Sequence, residues 1–234
     1  MSQPDRVINV KSFEDLGVLP ELTEALAAEG IETPTPLQEA ALPVVGRGNN
    51  IVLAAGPGSG VFGAWVAGLL GRLEPSANTL QAVVLCATAD AADRLAESAA
   101  RLTAVTGHTV AALGSAWVLP DRADLLFSTP GGLLASMEAG SIDLSSVEVL
   151  VVDQAQLIEN LTGLAEIERV LEYLPSGRQH ILTSLPVTAG VQDLLDRHFK
   201  RTITIPTPET GVPKRGQVRF RIAPEPTEAA ALSI

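Results

Sequence analysis

A glycine-rich segment at residues 55–62 has the spacing of a phosphate-binding loop, but its last two positions are apolar. It reads Ala-Gly-Pro-Gly-Ser-Gly-Val-Phe. In the Walker A pattern, backbone N–H groups of such a turn bind phosphates, a Lys reaches the β- and γ-phosphates, and a Ser or Thr hydroxyl holds Mg²⁺. Val61 and Phe62 stand at those last two positions, and apolar side chains can neither neutralise a triphosphate nor ligate a hard cation. The remaining candidate nucleotide-binding positions of the loop are Gly56, Gly58, Ser59 and Gly60.

The elements that would position this loop alternate between short apolar strands and helices. We expect strands at 51–55, 82–86, 110–113, 125–128, 147–152, 180–183 and 203–205. We expect helices at 19–29, 36–45, 61–72, 90–103, 161–172 and 188–199, with one more after 129–132. This alternation indicates βαβ units. The chain is therefore predicted to be an α/β protein with three layers (αβα) and a mostly parallel sheet.

Composition limits the class of protein further. The chain has 234 residues, of which 46% are hydrophobic and 18% charged, enough for one substantial core. Its single cysteine, Cys86, excludes an intrachain disulfide framework and is expected to be a buried thiol. Residues 48–71 carry no charge, but they include Pro57 and seven glycines, so no stretch approaches a membrane span. With no signal peptide in residues 1–30, we expect a cytoplasmic protein without a membrane partner.

Charge is unevenly distributed along the chain. The net charge is −11, and residues 1–196 hold 9 Lys/Arg against 24 Asp/Glu. Residues 197–221 hold 7 basic side chains against one acidic residue, Glu209. A protein that binds nucleic acid through phosphates normally has a positive face. The candidate contacts are therefore in this C-terminal basic run, foremost Arg215, Arg219 and Arg221; the alternative is that they are ordinary solvated charges.

The order of motifs over residues 13–205 resembles the first RecA-like domain of the DEAD-box RNA helicases. Residues 30–38, GIETPTPLQ, are similar to the Q motif of that family, and Phe13 stands at the position of its isolated upstream aromatic residue. The resemblance implies that the Gln38 amide recognises adenine and that Phe13 stacks on it. Taken alone, the two residues would be a polar helix residue and a core anchor.

Two further segments are similar to motifs with which the family holds the RNA backbone. Residues 87–92, ATADAA, stand at the PTRELA motif, and residues 129–132, TPGG, stand at the TPGR motif, so the arginine of each is missing. The resemblance implies hydrogen bonds to nucleic acid from Thr88, Thr129 and the Gly131 amide. Helix capping is the alternative role for the two threonines.

The tetrad that gives the family its name falls on Asp153-Gln154-Ala155-Gln156, after an apolar strand. Ligands of such sheets bind beyond the carboxyl ends of the strands, where Asp153 can still help to hold hydrated Mg²⁺. Gln154 replaces the Glu that activates the attacking water, and Gln156 replaces the Asp that links hydrolysis to domain movement. The resemblance implies ATP or ADP and Mg²⁺ as cofactors. The four replaced positions (Val61, Phe62, Gln154 and Gln156) predict a catalytically inactive pseudo-helicase.

The predicted organisation is a tail at 1–12, a RecA-like domain at 13–205, a linker at 206–217, and at 218–234 either an incomplete second domain or a C-terminal tail. The predicted function is a non-catalytic module that binds RNA or a ribonucleoprotein, with residual nucleotide binding left open. The alternatives are a scaffold for a protein partner, a nucleotide sensor without hydrolysis, and a working ATP-dependent helicase domain.

Overall fold

The computed structural model describes residues 11–56, 58–75, 79–114 and 123–206. Its strands are β1 (Ile51–Ala54), β2 (Ala82–Leu85), β3 (Val110–Ala112), β4 (Leu125–Ser128), β5 (Val149–Val152), β6 (Gln179–Thr183) and β7 (Ile203–Pro206). They form a seven-stranded sheet in the order β3-β4-β2-β5-β6-β1-β7, and every paired neighbour is parallel. The predicted parallel sheet is confirmed.

Helices cover both faces of this sheet. A short 3-10 helix at Glu14–Leu16 precedes α1 (Pro20–Ala28), α2 (Pro36–Gly46), α3 (Val61–Leu70), α4 (Ala89–Thr106), α5 (Pro130–Glu138), α6 (Ala155–Leu161), α7 (Ala165–Tyr173) and α8 (Ala189–His198). Helices α1 to α4 pack on one face and α5 to α8 on the other, because their buried residues belong to two separate clusters. The predicted three-layer αβα arrangement is therefore confirmed.

The strands supply both clusters because successive side chains point to opposite faces. In β1, Ile51 and Leu53 pack with the α1–α4 layer, whereas Val52 packs with the other layer. Strands buried on both faces read as continuous apolar runs, as parallel sheets require. Cys86 is buried in the α1–α4 layer, and burial raises the pKa of its thiol. The expectation of a buried thiol is thus confirmed.

One helix was not predicted. The helix expected at 161–172 is α7, which begins four residues later, and the separate helix α6 precedes it. The chain turns between the two at Gly163, whose φ of +81° is a left-handed conformation that favours glycine. The ends of the other elements differ from prediction by a few residues, and Pro206, predicted as linker, belongs to β7. Residues 1–10 and 207–234, which include Arg215, Arg219 and Arg221, lie outside the described residues.

Among the described residues, no helix is both long and apolar enough to cross a bilayer.

Candidate functional site

The carboxyl ends of β1, β5 and β6 open into a cleft of about 430 Å³. These strands are neighbours in the sheet, so the chain segments that follow them converge at one edge. The described residues that line the cleft are Ala55, Gly56, Gly58, Gly60, Val61, Phe62, Leu95, Asp153, Gln154, Gln156, Thr183, Ser184 and Leu185. The cleft therefore brings together the phosphate-loop positions and the tetrad that the sequence pointed to.

The described part of the glycine loop has the tight turn geometry that its sequence predicts. Gly58 and Gly60 both have φ of +83°, a conformation that residues with a Cβ rarely adopt. Ser59 Oγ donates a hydrogen bond to the Gly56 carbonyl at 2.6 Å. Thr35 Oγ1 donates to the Ser59 carbonyl at 2.9 Å, so the start of α2 braces the turn from outside.

Gln38, predicted to recognise adenine, is tied to the protein instead. Its Oε1 accepts from the Thr35 amide at 2.9 Å, and its Nε2 donates to the Gly60 carbonyl at 3.2 Å. The Thr35 hydroxyl in turn accepts from the Gln38 amide, which completes a capping box. Gln38 is 5% exposed. In this conformation the side-chain amide positions the loop, and adenine recognition stays a prediction.

Phe13 does not line the cleft. Its side chain is 1% exposed and belongs to the α1–α4 core cluster. In this structure the ring is therefore a core anchor, which was the alternative role given for Phe13. Stacking on adenine stays a prediction.

The two replaced loop positions form the first residues of α3 and part of the cleft wall. Val61 and Phe62 line the cleft and also pack against the α1–α4 core. The Phe62 ring meets the buried Trp65 ring edge to face, with centroids 5.2 Å apart. The wall that would face phosphate and metal is therefore continuous with the hydrophobic core.

Asp153 supplies the carboxylate of the cleft, directly after β5. Its Oδ1 accepts from Thr183 Oγ1 at 3.0 Å, and its Oδ2 accepts from Gln154 Nε2 at 3.2 Å. Burial raises the pKa of Asp153, and these two hydrogen bonds oppose that shift by stabilising the charged form. Among the described cleft residues there is no Lys or Arg to compensate the charge.

The two glutamines of the tetrad make neutral contacts. Gln154 has a left-handed φ of +52°, and its amide donates to Thr183 Oγ1 at 2.7 Å. Gln156 Oε1 accepts from the Leu185 amide at 3.3 Å, joining the start of α6 to the loop after β6. An amide side chain cannot accept a proton from water at neutral pH, so Gln154 cannot act as a general base.

The cleft fits a magnesium nucleotide poorly. Mg²⁺ is held through carboxylates, hydroxyls and the phosphates themselves, and the hydroxyl position of the loop is Phe62. Among the residues described, no three His, Cys, Asp or Glu side chains are grouped as a metal site. Asp153 remains the residue that would contact such an ion.

Three of the six candidate nucleic-acid residues, Thr88, Thr129 and Gly131, are described, and they lie at helix starts along the same edge of the sheet. Thr88 Oγ1 accepts from the Ala91 amide, and Thr129 Oγ1 accepts from the Gly132 amide, each at 3.1 Å. Both threonines therefore cap helices, α4 and α5. Beside Gly131, Glu166 places a carboxylate oxygen 3.0 Å from where a Cβ would stand, which opposes a phosphate at that amide.

Three contributors to the cleft escaped the sequence reasoning: Leu95, Thr183 and Thr35. The capping pattern of Thr35 with Gln38, three residues later, was readable from the sequence. Leu95 and Thr183 carry no local signal, since only the tertiary fold brings α4 and the end of β6 beside the loop.

Comparison with known proteins agrees with this geometry. Residues 35–194 match the family model described as DEAD/DEAH box helicase. The chain is 27% identical over 212 residues to the ATP-dependent RNA helicase DHH1 of Scheffersomyces stipitis. The aligned region covers 87% of this chain and 42% of that protein. The chain thus spans less than half the length of this relative.

Solved structures share the fold. A Saccharomyces cerevisiae Dbp5 variant bound to Gle1 and IP6 has a TM-score of 0.78 at 24% identity, covering 85% of this chain and 53% of that one. A Dbp5 variant bound to RNA and ADP BeF3 has a TM-score of 0.77 at 25% identity, covering 83% and 51%. The predicted resemblance and the RecA-like fold are therefore confirmed.

Proposed function

We propose, from the premise that this chain belongs to the DEAD/DEAH box helicase family, that it is a helicase-like domain without ATP hydrolysis that serves as a binding module. The observation that carries the proposal is the apolar wall at the start of α3. Val61 and Phe62 line the cleft where a cation and a metal-ligating hydroxyl are needed. Membership of the family accounts for the fold and for the ligands that are expected. The side chains of the cleft determine which reactions it can catalyse.

The first consequence is weak binding of triphosphate. A hydrogen bond to a charged group contributes about 1.5–3 kcal/mol net, or roughly ten- to a hundredfold in affinity. No Lys or Arg among the described cleft residues can make such a bond to a phosphate. The cleft instead holds the carboxylate of Asp153, which has no cation beside it and repels phosphates when ionised.

The second consequence is the loss of turnover. A positioned general base contributes on the order of 10²–10⁴ in rate, and Gln154 cannot take that role. Metal-assisted charge neutralisation is weakened as well, because Phe62 offers no ligand to Mg²⁺. The losses need not multiply, since groups that act as a unit are not additive, but each alone is large.

Binding of RNA or a ribonucleoprotein is the function that the retained framework favours. The Thr88 side chain is exposed and that of Thr129 is half-buried, both at the carboxyl edge of the sheet. The basic run at 197–221 begins at the end of α8 with Arg197. The names of the relatives describe RNA helicases, and one neighbour was solved with RNA.

A protein-binding scaffold is the second candidate, favoured by an apolar patch next to the cleft. Leu157, Leu161 and Leu185 are 40%, 60% and 50% exposed. The first two are four residues apart on α6 and share a face, and Leu185 is hydrogen-bonded to that helix through Gln156. Exposed apolar groups of this kind are typical of interaction surfaces.

The test of the nucleotide site is a calorimetric titration with Mg·ATP and with ADP. We expect no saturable binding by the unmodified chain at millimolar nucleotide. Val61→Lys combined with Phe62→Thr should raise affinity for Mg·ATP at least tenfold, because it restores the phosphate contact and the metal ligand. Val105→Lys is the matched control, since Val105 is exposed on α4, ten residues beyond Leu95. Tight ATP binding by the unmodified chain would contradict the proposal.

The test of RNA binding is fluorescence anisotropy with a single-stranded oligonucleotide at low salt. We expect salt-sensitive binding that falls several-fold when Arg215, Arg219 and Arg221 are changed to Gln. Unchanged binding in that variant would exclude the basic run as the contact. Absence of RNA binding, together with capture of a specific protein that Leu161→Glu abolishes, would favour the scaffold.

A further inference from the structure

A second cavity lies at the opposite edge of the sheet, where β1, β5 and β6 begin. Its volume is about 280 Å³. The segments that enter these three strands form most of it, together with the chain just after α3. The described residues that line it are Gly48, Arg72, Ser145, Ser146, Val147, Glu148, Pro175, Ser176, Gly177, Arg178 and Gln179.

Two arginines from distant parts of the sequence meet in this cavity. Arg72 has one carboxylate nearby, with its Nη1 3.9 Å from Glu148 Oε2, a separation at the limit of an ion pair. Arg178 has no carboxylate within ion-pair distance among the residues described, and its guanidinium donates to the carbonyls of Leu171, Leu174 and Pro175 at the end of α7. The cavity therefore carries a net positive charge on a domain that is strongly acidic.

Several donors of these arginines have no acceptor. Nε and Nη2 of Arg72 and Nε of Arg178 are buried without a hydrogen-bond partner. Buried polar groups are nearly always paired, so each exception calls for an explanation. Burial also lowers the pKa of Arg178, as expected for a guanidinium with no anion to offset its desolvation.

The rest of the lining suits an oxyanion. Ser146 and Ser176 are exposed at the rim and carry hydroxyls that can donate. Gly177, with φ of +85°, turns the backbone between Ser176 and Arg178. Planar guanidinium groups bind phosphate through paired hydrogen bonds. The cavity, at about 280 Å³, is large enough to hold a phosphate group. Glu148 opposes an anion, but it is 59% exposed and can turn toward solvent.

We propose that this amino-end cavity binds the phosphate group of a small molecule, either free phosphate or a phosphate monoester, between Arg72 and Arg178. The site is separate from the helicase-type cleft, at the other end of the same strands. Its occupation would add an anion beside a pair of cations whose charge a single, exposed glutamate offsets in part.

The experiment is a thermal-melt and calorimetric titration of the full chain at constant ionic strength, with sodium chloride replaced stepwise by the probe. Inorganic phosphate and glycerol 3-phosphate are the two probes, and their relative affinity distinguishes a free ion from a monoester. A ligand that binds the native state raises the melting temperature with concentration. We expect saturable stabilisation by at least one of the two probes.

The deciding variant is Arg72→Gln, because Arg72 has no structural hydrogen bonds to lose, whereas Arg178 holds the end of α7. We expect its apparent Kd to rise at least tenfold. Arg101→Gln is the matched control, since Arg101 also pairs loosely with a glutamate, Glu29, at 3.8 Å; its Kd should not change. Arg72→Lys keeps the positive charge but loses the planar pair of guanidinium donors, so it should bind the phosphate probes less tightly than the unmodified chain.

Two results would overturn the proposal. One is no stabilisation by either probe beyond that of matched chloride. The other is equal affinity in Arg72→Gln and the unmodified chain, which would place any bound phosphate elsewhere, the glycine loop included. If Arg72→Gln does not fold, the comparison between Arg72→Lys and Arg101→Gln decides in the same way.

Discussion

The two ends of β1, β5 and β6 differ in chemistry although they are separated only by strands of four or five residues, about 13–17 Å. At the carboxyl end, Val61 and Phe62 face a single carboxylate, Asp153, whose oxygens are hydrogen-bonded. At the amino end, Arg72 and Arg178 leave donors without acceptors. The fold places ligands at the carboxyl end, but the side chains suited to anions are at the other end. Fold and chemistry are therefore separable in this domain.

The largest expected effect concerns the continuity of the cleft wall with the core. Trp65 is fully buried against Phe62 and Phe127, so Trp65→Ala should lower the free energy of unfolding by about 3–5 kcal/mol. Urea denaturation measures this. Arg72→Gln at the amino end should cost less than about 1 kcal/mol, because its ion pair is long and partly exposed. Similar losses of unfolding free energy in Trp65→Ala and Arg72→Gln would contradict the distinction between an apolar carboxyl end and a polar amino end of these strands.

The next effect is acid sensitivity at the amino end of β6. His180 is 8% exposed, packs on Phe199, and both ring nitrogens lack partners. Burial, with smaller contributions from Arg178 and His198, lowers the pKa of His180 to about 4. The native state thus binds the proton less well than the unfolded chain, so this contribution to stability is complete above pH 6.5 and is lost as pH falls. The expected loss at pH 4 is about 3 kcal/mol.

Denaturation at several pH values, compared between the unmodified chain and His180→Leu, checks this. The difference in unfolding free energy between the two should shrink or change sign in favour of the variant from pH 7 to pH 4. Parallel curves would mean that His180 does not titrate as its burial requires.

A smaller effect is expected at the carboxyl end of the same strand. Thr183→Val removes a hydroxyl that donates to Asp153 and accepts from the Gln154 amide. We expect a cost of about 1–3 kcal/mol in stability and a further rise in the pKa of Asp153, because a bond that stabilises its charged form is lost. Carboxyl-carbon NMR titration measures that pKa. An unchanged value would show that Thr183 does not tune the carboxylate.

Local sequence signals predicted most of the fold. Apolar runs such as Val149–Val152 gave the strands, and Pro and Thr at helix starts gave several helices, because these signals act within a few residues. Helix α6 was missed because its seven residues are too few for a clear helical periodicity. The replaced residues of the cleft were also predicted, since loop and tetrad each have fixed spacing.

The sequence did not predict what depends on distant contacts. The hydrogen bond from Gln38 to the Gly60 carbonyl was not predicted, and adenine recognition by Gln38 stays a prediction. Phe13 lies in the core, which is the second of the two roles that the sequence left open for it. Arg72 and Arg178 carried no signal at all, because only the pairing of β1, β5 and β6 brings their segments to one edge.

The most direct test of the central claim is release of inorganic phosphate from ATP by highly purified chain, with Mg²⁺ and single-stranded RNA present. Asp153→Ala, purified in the same way, sets the background, since it removes the carboxylate that would contact the metal. We expect the two rates to be equal within error. Phosphate release that RNA stimulates in the unmodified chain and that Asp153→Ala abolishes would contradict the account.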